Sequence, residues 1–153
     1  MIPYTGADAN FSLEGKTAVI TGGASGIGYA TAKFFAQKGA NVILADLKAD
    51  VDAAAKKLGP KNIGISGDVC GAAFRKNVID AGCRAFGKID ILVNSAGIAV
   101  LEKAETISED YWDKTISVNL TASFMMAQVF GAYLIKTKLP GSIVTPIPAK
   151  LYR

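Results

Sequence analysis

Three glycines, Gly22, Gly26 and Gly28, lie between a short apolar run and a stretch with helical spacing. The apolar run, residues 17–20, has the character of a buried strand, and residues 29–37 have the spacing of a helix. Glycines at such a junction let the backbone pass close to a pyrophosphate, which the free N–H groups and positive dipole end of the helix then hold. The spacing therefore predicts a dinucleotide site, although a tight turn without a ligand would use the same glycines.

A carboxylate follows the next apolar run, residues 41–45, which is typical of a strand buried on both faces. Asp46 stands 18 residues after Gly28. A carboxylate at this position is able to accept both hydroxyls of an adenosine ribose and repels a 2′-phosphate. Asp46 therefore favours NAD over NADP. An exposed turn residue is the alternative, and the nearby Lys48 acts against the preference.

Two further groups follow the predicted third and fourth strands. Asp68 is placed to accept a hydrogen bond from an adenine amino group while the N–H of Val69 donates to the ring. An N-cap for the following helix is the alternative role of Asp68. After Asn94, the small residues 95–97 would let the backbone approach the ribose and nicotinamide, and the Asn94 amide would join two strand ends. A plain loop is the alternative here.

Strand and helix patterns alternate along the chain. The predicted strands are residues 16–21, 41–45, 62–66, 89–93 and 141–145, and the predicted helices are residues 26–38, 50–58, 72–86, 109–116 and 117–136. Such alternation predicts a Rossmann-type α/β fold, a doubly wound parallel sheet with helices on both faces. The expected strand order is 3-2-1-4-5, with the ligand at the carboxyl ends of strands 1 and 4.

The bulk composition is that of a compact α/β domain. A chain of 153 residues, half of them hydrophobic, is long enough for one domain with a core. Because the chain has no histidine and no Cys-x-x-Cys, the usual zinc sites are excluded and no metal is expected. The basic residues are scattered, so the net charge of +4 indicates solvated helix faces and not a nucleic-acid surface.

The cysteines and the apolar segments indicate a cytoplasmic protein. Cys70 and Cys83 would face different directions on one helix, so we expect reduced, packed thiols. Residues 1–13 show neither the basic nor the apolar segment of a signal peptide. The apolar stretch 124–135 is short and contains Gln128, which favours a buried helix over a membrane span.

Two motifs give the chain a family resemblance. Residues 21–28 resemble the Thr-Gly-x-x-x-Gly-x-Gly motif of the short-chain dehydrogenase/reductase family. Residues 94–97 resemble its Asn-Asn-Ala-Gly motif, with Ser95 in place of the second Asn. The resemblance spans residues 12–144, and it implies NAD-dependent oxidation of a small secondary alcohol or reduction of a ketone.

The resemblance also implies which residues meet the cofactor and substrate. Asn119 matches the Asn that in the family joins the catalytic proton relay through a water, so Asn119 is the expected catalytic residue. The expected cofactor-binding residues are Gly22, Ser25, Gly26, Ile27, Gly28, Asp46, Leu47, Asp68, Val69, Asn94, Ala96 and Gly97.

The other catalytic groups of the family do not match the residues around the predicted fifth strand. The family places a Ser just past that strand and then a Tyr-x-x-x-Lys pair, in which the Lys charge lowers the pKa of the Tyr. Ser142 lies at the wrong end of the strand, no Lys stands four positions after Tyr152, and Lys150 precedes it. Ser142, Lys150 and Tyr152 therefore receive no catalytic role.

We interpret the chain as a C-terminally truncated family member, a single domain over residues 1–153 with an atypical tail at 145–153. A frameshift, an alternative transcript or a premature stop would produce such a tail, in which Pro146 and Pro148 cannot continue a central strand. We expect this chain to lack turnover.

Strand 5 would then be an apolar sheet edge, and the helix over residues 117–136 would be apolar on several sides. We therefore expect self-association as a homo-oligomer through this helix. The alternatives to an oxidoreductase are a dinucleotide-binding fragment without turnover and an interaction subunit that pairs with a full-length relative.

Overall fold

The computed structural model describes residues 11–99 and 103–146. Its strands are β1 (Thr17–Thr21), β2 (Asn41–Asp46), β3 (Ile63–Ser66), β4 (Ile91–Asn94) and β5 (Ser142–Val144). Its helices are α1 (Gly26–Gln37), α2 (Val51–Lys56), α3 (Ala72–Phe86), α4 (Glu109–Ile116) and α5 (Ala122–Thr137), with a π-helical turn, Ser117–Thr121, between α4 and α5. All strand pairs are parallel, in the order β3-β2-β1-β4-β5. This arrangement confirms the predicted Rossmann-type doubly wound sheet.

Side chains that alternate along the central strands build an apolar layer on each face of the sheet. Val19 and Leu92 pack in one layer with residues of α3 and α5. Ile20 and Leu44 pack in the other layer with residues of α1 and α2. All four side chains are fully buried. Because helices cover both faces, the central strands read as continuous apolar runs in the sequence.

The strands β1, β3, β4 and β5 begin later than predicted, and side-chain hydrogen bonds lie at the start of β3 and β4. The Asn62 side-chain oxygen accepts from the backbone N–H of Val42 at 2.9 Å, so Asn62 precedes β3 as a brace between strands. The backbone N–H of Ile89 donates to the Tyr133 hydroxyl at 3.1 Å, and β4 begins two residues further on. Helix α2 is also shorter than the predicted helix over residues 50–58.

The long helix is buried on one side only. Met126 and Phe130 are fully buried, whereas Phe124 and Ile135 are 62% and 81% exposed. The predicted burial of residues 124–135 is therefore right for one side of the helix and wrong for the other. The continuous helical stretch Glu109–Thr137 is long and apolar enough to cross a membrane, by length and composition alone. In its apolar 18-residue segment, 17% of the residues are buried. Core helices of soluble proteins pass the same test.

β5 forms the predicted exposed edge. Within the part of the chain that the structure describes, it pairs with β4 alone. Ile143 is 46% and Val144 is 48% exposed, and β5 ends there. Pro146 follows shortly and has no N–H for a further ladder bond. Pro148 lies outside the described residues, as does the rest of the predicted tail from residue 147.

The two cysteines, Cys70 and Cys83, are not bonded to one another and are half-buried. Only Cys83 lies on α3, since Cys70 precedes that helix. Over residues 11–99 and 103–146, no group of three or more His, Cys, Asp or Glu side chains is placed to hold a metal ion.

Asp90 joins the amino ends of β1 and β4. Its carboxylate, 10% exposed, accepts from the backbone N–H of Thr17 at 2.9 Å and from the Lys88 ammonium at 2.8 Å. The Lys16 ammonium lies 3.7 Å away. Burial raises the pKa of the Asp90 carboxyl, but the hydrogen bonds from Lys88 and Thr17 and the charges of both lysines outweigh burial. The pKa of Asp90 is consequently below its ordinary value.

We expect Asp90→Asn to lower the free energy of unfolding by about 1–3 kcal/mol at neutral pH, because hydrogen bonds to charged groups contribute about that much. A lowered pKa means that the stabilisation is complete above the unfolded-state pKa of about 4 and is lost as the pH falls through the folded-state pKa. Urea unfolding of both proteins between about pH 7 and pH 2 measures this difference. Asp80→Asn, at an exposed ion pair with Lys76, is the matched control. A difference that stays constant down to the acid end would contradict the assigned role of Asp90.

Candidate functional site

The loops that carry the predicted site residues open at one edge of the sheet. Thr21 pairs with Ala45 on one side and with Asn94 on the other. Asp46 pairs with Ser66 in the neighbouring strand. Because these residues end parallel strands, the segments that follow β1, β2, β3 and β4 meet at the carboxyl edge, where doubly wound sheets bind their ligands.

Two of the glycines close the turn between β1 and α1. Gly22 has a φ of +63°, a conformation that L side chains rarely adopt. A Cβ at Gly22 would lie 2.8 Å from the Cα of Ala96, and a Cβ at Gly28 would lie 2.3 Å from the carbonyl oxygen of Gly22. Both distances are below van der Waals contact with backbone atoms, so the turn has no room for a side chain at either position.

The third glycine, Gly26, leaves open space at the amino end of α1. Gly26 has a φ of +55°, and a Cβ there would meet no atom within 4 Å. Ser25 is the N-cap without making a side-chain capping bond, and the first turn of α1 has no acidic residue. Ile27 is 52% exposed beside it. The first turn of α1 therefore contributes no carboxylate of its own to its backbone N–H groups, which suits an anion such as a pyrophosphate.

Asp46 connects the end of β2 to the glycine-rich turn. Its Oδ2 accepts from the backbone N–H of Ala24 at 2.9 Å, and its Oδ1 accepts from the backbone N–H of Lys48 at 3.0 Å. A carboxylate has about four acceptor sites, so each oxygen retains capacity for a further donor such as a ribose hydroxyl. Leu47, next along the chain, is 74% exposed. The structure therefore brings Asp46 beside the turn, as the ribose role requires.

The loop after β3 is held by two polar side chains. Asp68 Oδ1 accepts from the backbone N–H of Cys70 at 2.9 Å. The alternative that Asp68 caps α3 is wrong, because the N-cap is Gly71. Arg75, 8% exposed, donates from Nη1 to the carbonyl oxygens of Val69 at 2.8 Å and Cys70 at 2.7 Å. Asp68 and Val69 consequently lie in a braced loop at the carboxyl edge.

The loop after β4 is bound to β1 and α5. The Thr21 hydroxyl oxygen accepts from the backbone N–H groups of both Ser95 and Ala96 at 3.1 Å. Asn94 Nδ2 donates to the carbonyl oxygen of Ser123 in α5 at 3.1 Å. The prediction that the Asn94 amide joins two strand ends is therefore wrong, since its partner lies on a helix. Asn94 Oδ1 is buried and has no hydrogen-bond partner within the described residues.

Asn119 lies in the π-helical turn and holds the same loop at Ile98. Its Oδ1 accepts from the backbone N–H of Ile98 at 2.8 Å, and its Nδ2 donates to the Ile98 carbonyl oxygen at 2.9 Å. A Cβ at Gly97 would lie 3.3 Å from Asn119 Oδ1. The turn replaces the first residues of the predicted helix 117–136. π-Helical turns often occur at functional sites, and this one presents the Asn119 amide to the loop.

Sequence reasoning did not identify two braces of the site. The Thr21 hydroxyl bonds to residues more than 70 positions away, and its strand position alone indicates only burial. Arg75 is a buried guanidinium on a helix whose pattern predicts an exposed basic residue. Arg75 follows Val69 by six residues in the sequence, and this separation lets a side chain in the first turn of a helix reach back to the preceding loop. That separation is the sequence feature that would have indicated the contact.

A doubly wound parallel sheet with a glycine-rich turn after β1 defines a Rossmann-type α/β protein. The sequence matches the profile of the family described as short chain dehydrogenase over residues 16–146. The chain belongs to the short-chain dehydrogenase family, as the motifs at 21–28 and 94–97 imply.

Three relatives illustrate the similarity. The NAD-dependent glycerol dehydrogenase of Listeria innocua is 44% identical over 135 residues, which are 88% of this chain and 53% of the relative. The D-threitol dehydrogenase of Mycolicibacterium smegmatis is 44% identical over 133 residues, 84% of this chain and 51% of the relative. The tropinone reductase-like 1 protein of Erythroxylum coca is 41% identical over 122 residues, 76% of this chain and 44% of the relative. The chain spans about half the length of the curated relatives that it matches.

Proposed function

We propose that this chain binds a nicotinamide dinucleotide, NAD in preference to NADP, as the cofactor domain of an oxidoreductase. The hydrogen bond of 2.9 Å between the Ala24 N–H and Asp46 Oδ2 carries the proposal, because it joins a ribose-binding carboxylate to a pyrophosphate-binding turn. Family membership supports the nicotinamide cofactor. The glycerol dehydrogenase of Listeria innocua is named as NAD-dependent, which supports NAD.

The loops suggest how the cofactor would lie along the carboxyl edge. The pyrophosphate would meet the turn and the first N–H groups of α1, at Gly22 and residues 25–28. The adenosine ribose would meet Asp46 and Leu47, and the adenine would meet Asp68 and Val69. The nicotinamide end would meet Asn94, Ala96 and Gly97. This order follows the sheet from β3 through β1 to β4.

The proposed reaction is hydride transfer between NAD and a small secondary alcohol or ketone. Two relatives are named as dehydrogenases of glycerol and D-threitol, so we propose a small polyol as the substrate class. Bound NAD would supply the hydride acceptor for the carbon that carries the hydroxyl group, and the hydroxyl proton would pass to a general base.

The predicted relay role of Asn119 is compatible with its contacts. The oxygen and the nitrogen of the Asn119 side-chain amide each bond to the backbone of Ile98. One hydrogen on Nδ2 and one lone pair on Oδ1 are left for a water. Asn119 therefore acts first by holding the loop that would face the nicotinamide. Its part in proton transfer stays a prediction.

A polypeptide of these 153 residues is proposed to bind the cofactor without turnover. After β5 it contains neither the Ser nor the Tyr-x-x-x-Lys pair on which the family's chemistry depends. Loss of a general acid–base alone costs about 10²–10⁴-fold in rate. A single domain over residues 1–153 and a cytoplasmic location also stay predictions.

A second candidate function is subunit pairing through the outer face of α4 and α5. Three large apolar side chains on these helices are exposed, at 58% for Trp112, 62% for Phe124 and 81% for Ile135. Exposed apolar surface of this kind favours association, either between two copies or with a longer relative.

Calorimetric titration of the purified 153-residue chain with NAD and NADP tests the proposed function. We expect NAD to bind at least about tenfold more tightly than NADP, because Asp46 would repel the 2′-phosphate. Incubation of the same chain with NAD and glycerol or D-threitol should produce no NADH. Absence of NAD binding would contradict the cofactor site, and NADH formation would contradict the proposed lack of turnover.

A further inference from the structure

We propose that Cys70 and Ser117 are positioning residues that couple the adenine end of the nucleotide site to its nicotinamide end. The inference rests on the proposed function, since it assigns these ends to the loops after β3 and β4. It concerns two side chains to which neither the motifs nor the family resemblance gives a role.

The backbone of Cys70 is fixed on the adenine side. Its N–H donates to Asp68 Oδ1 at 2.9 Å, and its carbonyl oxygen accepts from Arg75 Nη1 at 2.7 Å. The same Arg75 nitrogen binds the carbonyl oxygen of Val69 at 2.8 Å. Arg75 as a whole is 8% exposed, so its side chain is held by the surrounding structure. A ligand that engages Asp68 and Val69 therefore also restrains Cys70.

The side chain of Cys70 points away from these contacts to another element. The Ser117 hydroxyl donates to Cys70 Sγ at 3.6 Å, and both groups are partly buried. Ser117 is the first residue of the π-helical turn. The thiol thus joins a loop of the sheet edge to the helical segment that passes beside it, over a separation of 47 residues.

The same turn holds the loop after β4. Asn119, two residues after Ser117, makes both of its amide bonds to Ile98, at 2.8 Å and 2.9 Å. Contacts consequently run without a gap from Val69 through Cys70 and the turn to Ile98. This contiguous set of hydrogen bonds is the route by which a change in local order at one loop would reach the other, and measured coupling is what tests it.

Amide hydrogen exchange at Ile98 measures this coupling. The probe is AMP, which contains the adenine end of the cofactor and no nicotinamide. We expect saturating AMP to slow exchange of the Ile98 N–H by about fivefold, near the lower limit for coupling between sites. A local restraint on the Asn119 turn produces this effect, because exchange requires the bond from Ile98 to Asn119 to open.

Two substitutions break the connection. In Cys70→Ala and in Ser117→Ala, AMP should still bind, but the slowing at Ile98 should disappear. Cys83→Ala is the matched control, since it removes the other half-buried free thiol and should retain the response. Ser117→Thr keeps a hydroxyl at the contact and should also retain it. If one of the two alanine variants fails to fold, the other still breaks the contact between the Ser117 hydroxyl and Cys70 Sγ.

The outcomes separate this inference from the proposed function. The coupling is overturned if AMP binds without slowing exchange of the Ile98 N–H. It is also overturned if the slowing persists in Cys70→Ala and Ser117→Ala. Either result leaves the nucleotide site intact. Failure of AMP to bind the native chain overturns the coupling, whereas the NAD titration described above decides the nucleotide site separately. A response lost equally in Cys83→Ala also overturns the coupling, because it would reflect general loosening of the domain.

Discussion

Gly28→Ala abolishes nucleotide binding and lowers the free energy of unfolding by more than about 3 kcal/mol, above the usual range for an overpacked site. The reason is the 2.3 Å that would separate the new Cβ from the Gly22 carbonyl oxygen. That oxygen belongs to the backbone of the turn, so it moves only if the turn moves. The Gly22 N–H also donates to the Ala45 carbonyl oxygen at 2.8 Å, which resists such a shift. Urea unfolding and NAD calorimetry measure the two effects.

Gly131→Ala is the matched control for this substitution. Gly131 lies inside α5, and a Cβ there would meet no atom within 4 Å. Alanine in a helix interior is favoured over glycine by about 0.5–1 kcal/mol, so the control variant should be as stable as the native chain or more stable. If Gly28→Ala bound NAD normally, the close approach of β1 and α1 would not be required for the site.

Asp46→Ala lowers the affinity for NAD by at least about 100-fold, because each hydrogen bond to a charged group contributes about 1.5–3 kcal/mol and two ribose hydroxyls lose their acceptor. The substitution also removes the acceptor for the N–H groups of Ala24 and Lys48. Affinity for NADP should fall less, since the carboxylate that repels the 2′-phosphate is removed too. Calorimetry with both dinucleotides measures the change in their ratio.

Asp52→Ala is the matched control for Asp46→Ala. It shows how much binding is lost when a carboxylate that only bonds to backbone is removed. Asp52 Oδ1 accepts from the backbone N–H of Gly64 at 2.9 Å, so it makes the same kind of bond as Asp46 outside the proposed site. We expect Asp52→Ala to reduce stability and to leave the NAD to NADP ratio unchanged. An Asp46→Ala variant that binds NAD within about threefold of the native chain, less than 1 kcal/mol, would refute the ribose role.

Much of the fold was predictable because the relevant signals are local. The buried runs that became β1, β2 and β4 are continuous apolar segments, and the glycines after β1 have a spacing that few other turns share. Ser108 shows how direct a local signal is, since its hydroxyl oxygen accepts from the Tyr111 N–H and caps α4. Strand order followed from the handedness and alternation of the connections.

Two of the errors share a cause, since both concern a contact between residues distant in sequence. Asn94 was expected to bond to a strand end, and its amide instead reaches α5, 29 residues away. The helix predicted over residues 117–136 begins as a π-helical turn, in which Asn119 bonds to Ile98. A periodic pattern of apolar residues contains no information on such pairs.

The sequence by itself therefore determined the family, the order of the strands and the identity of the glycines and Asp46 at the carboxyl edge. Only the tertiary structure decided how that edge is held together, through the Thr21 hydroxyl, the buried Arg75 guanidinium and the Cys70 thiol. The physical reason is that backbone conformation and burial follow from neighbouring residues. A side-chain hydrogen bond across 47 or 74 residues exists only once the packed elements bring donor and acceptor together.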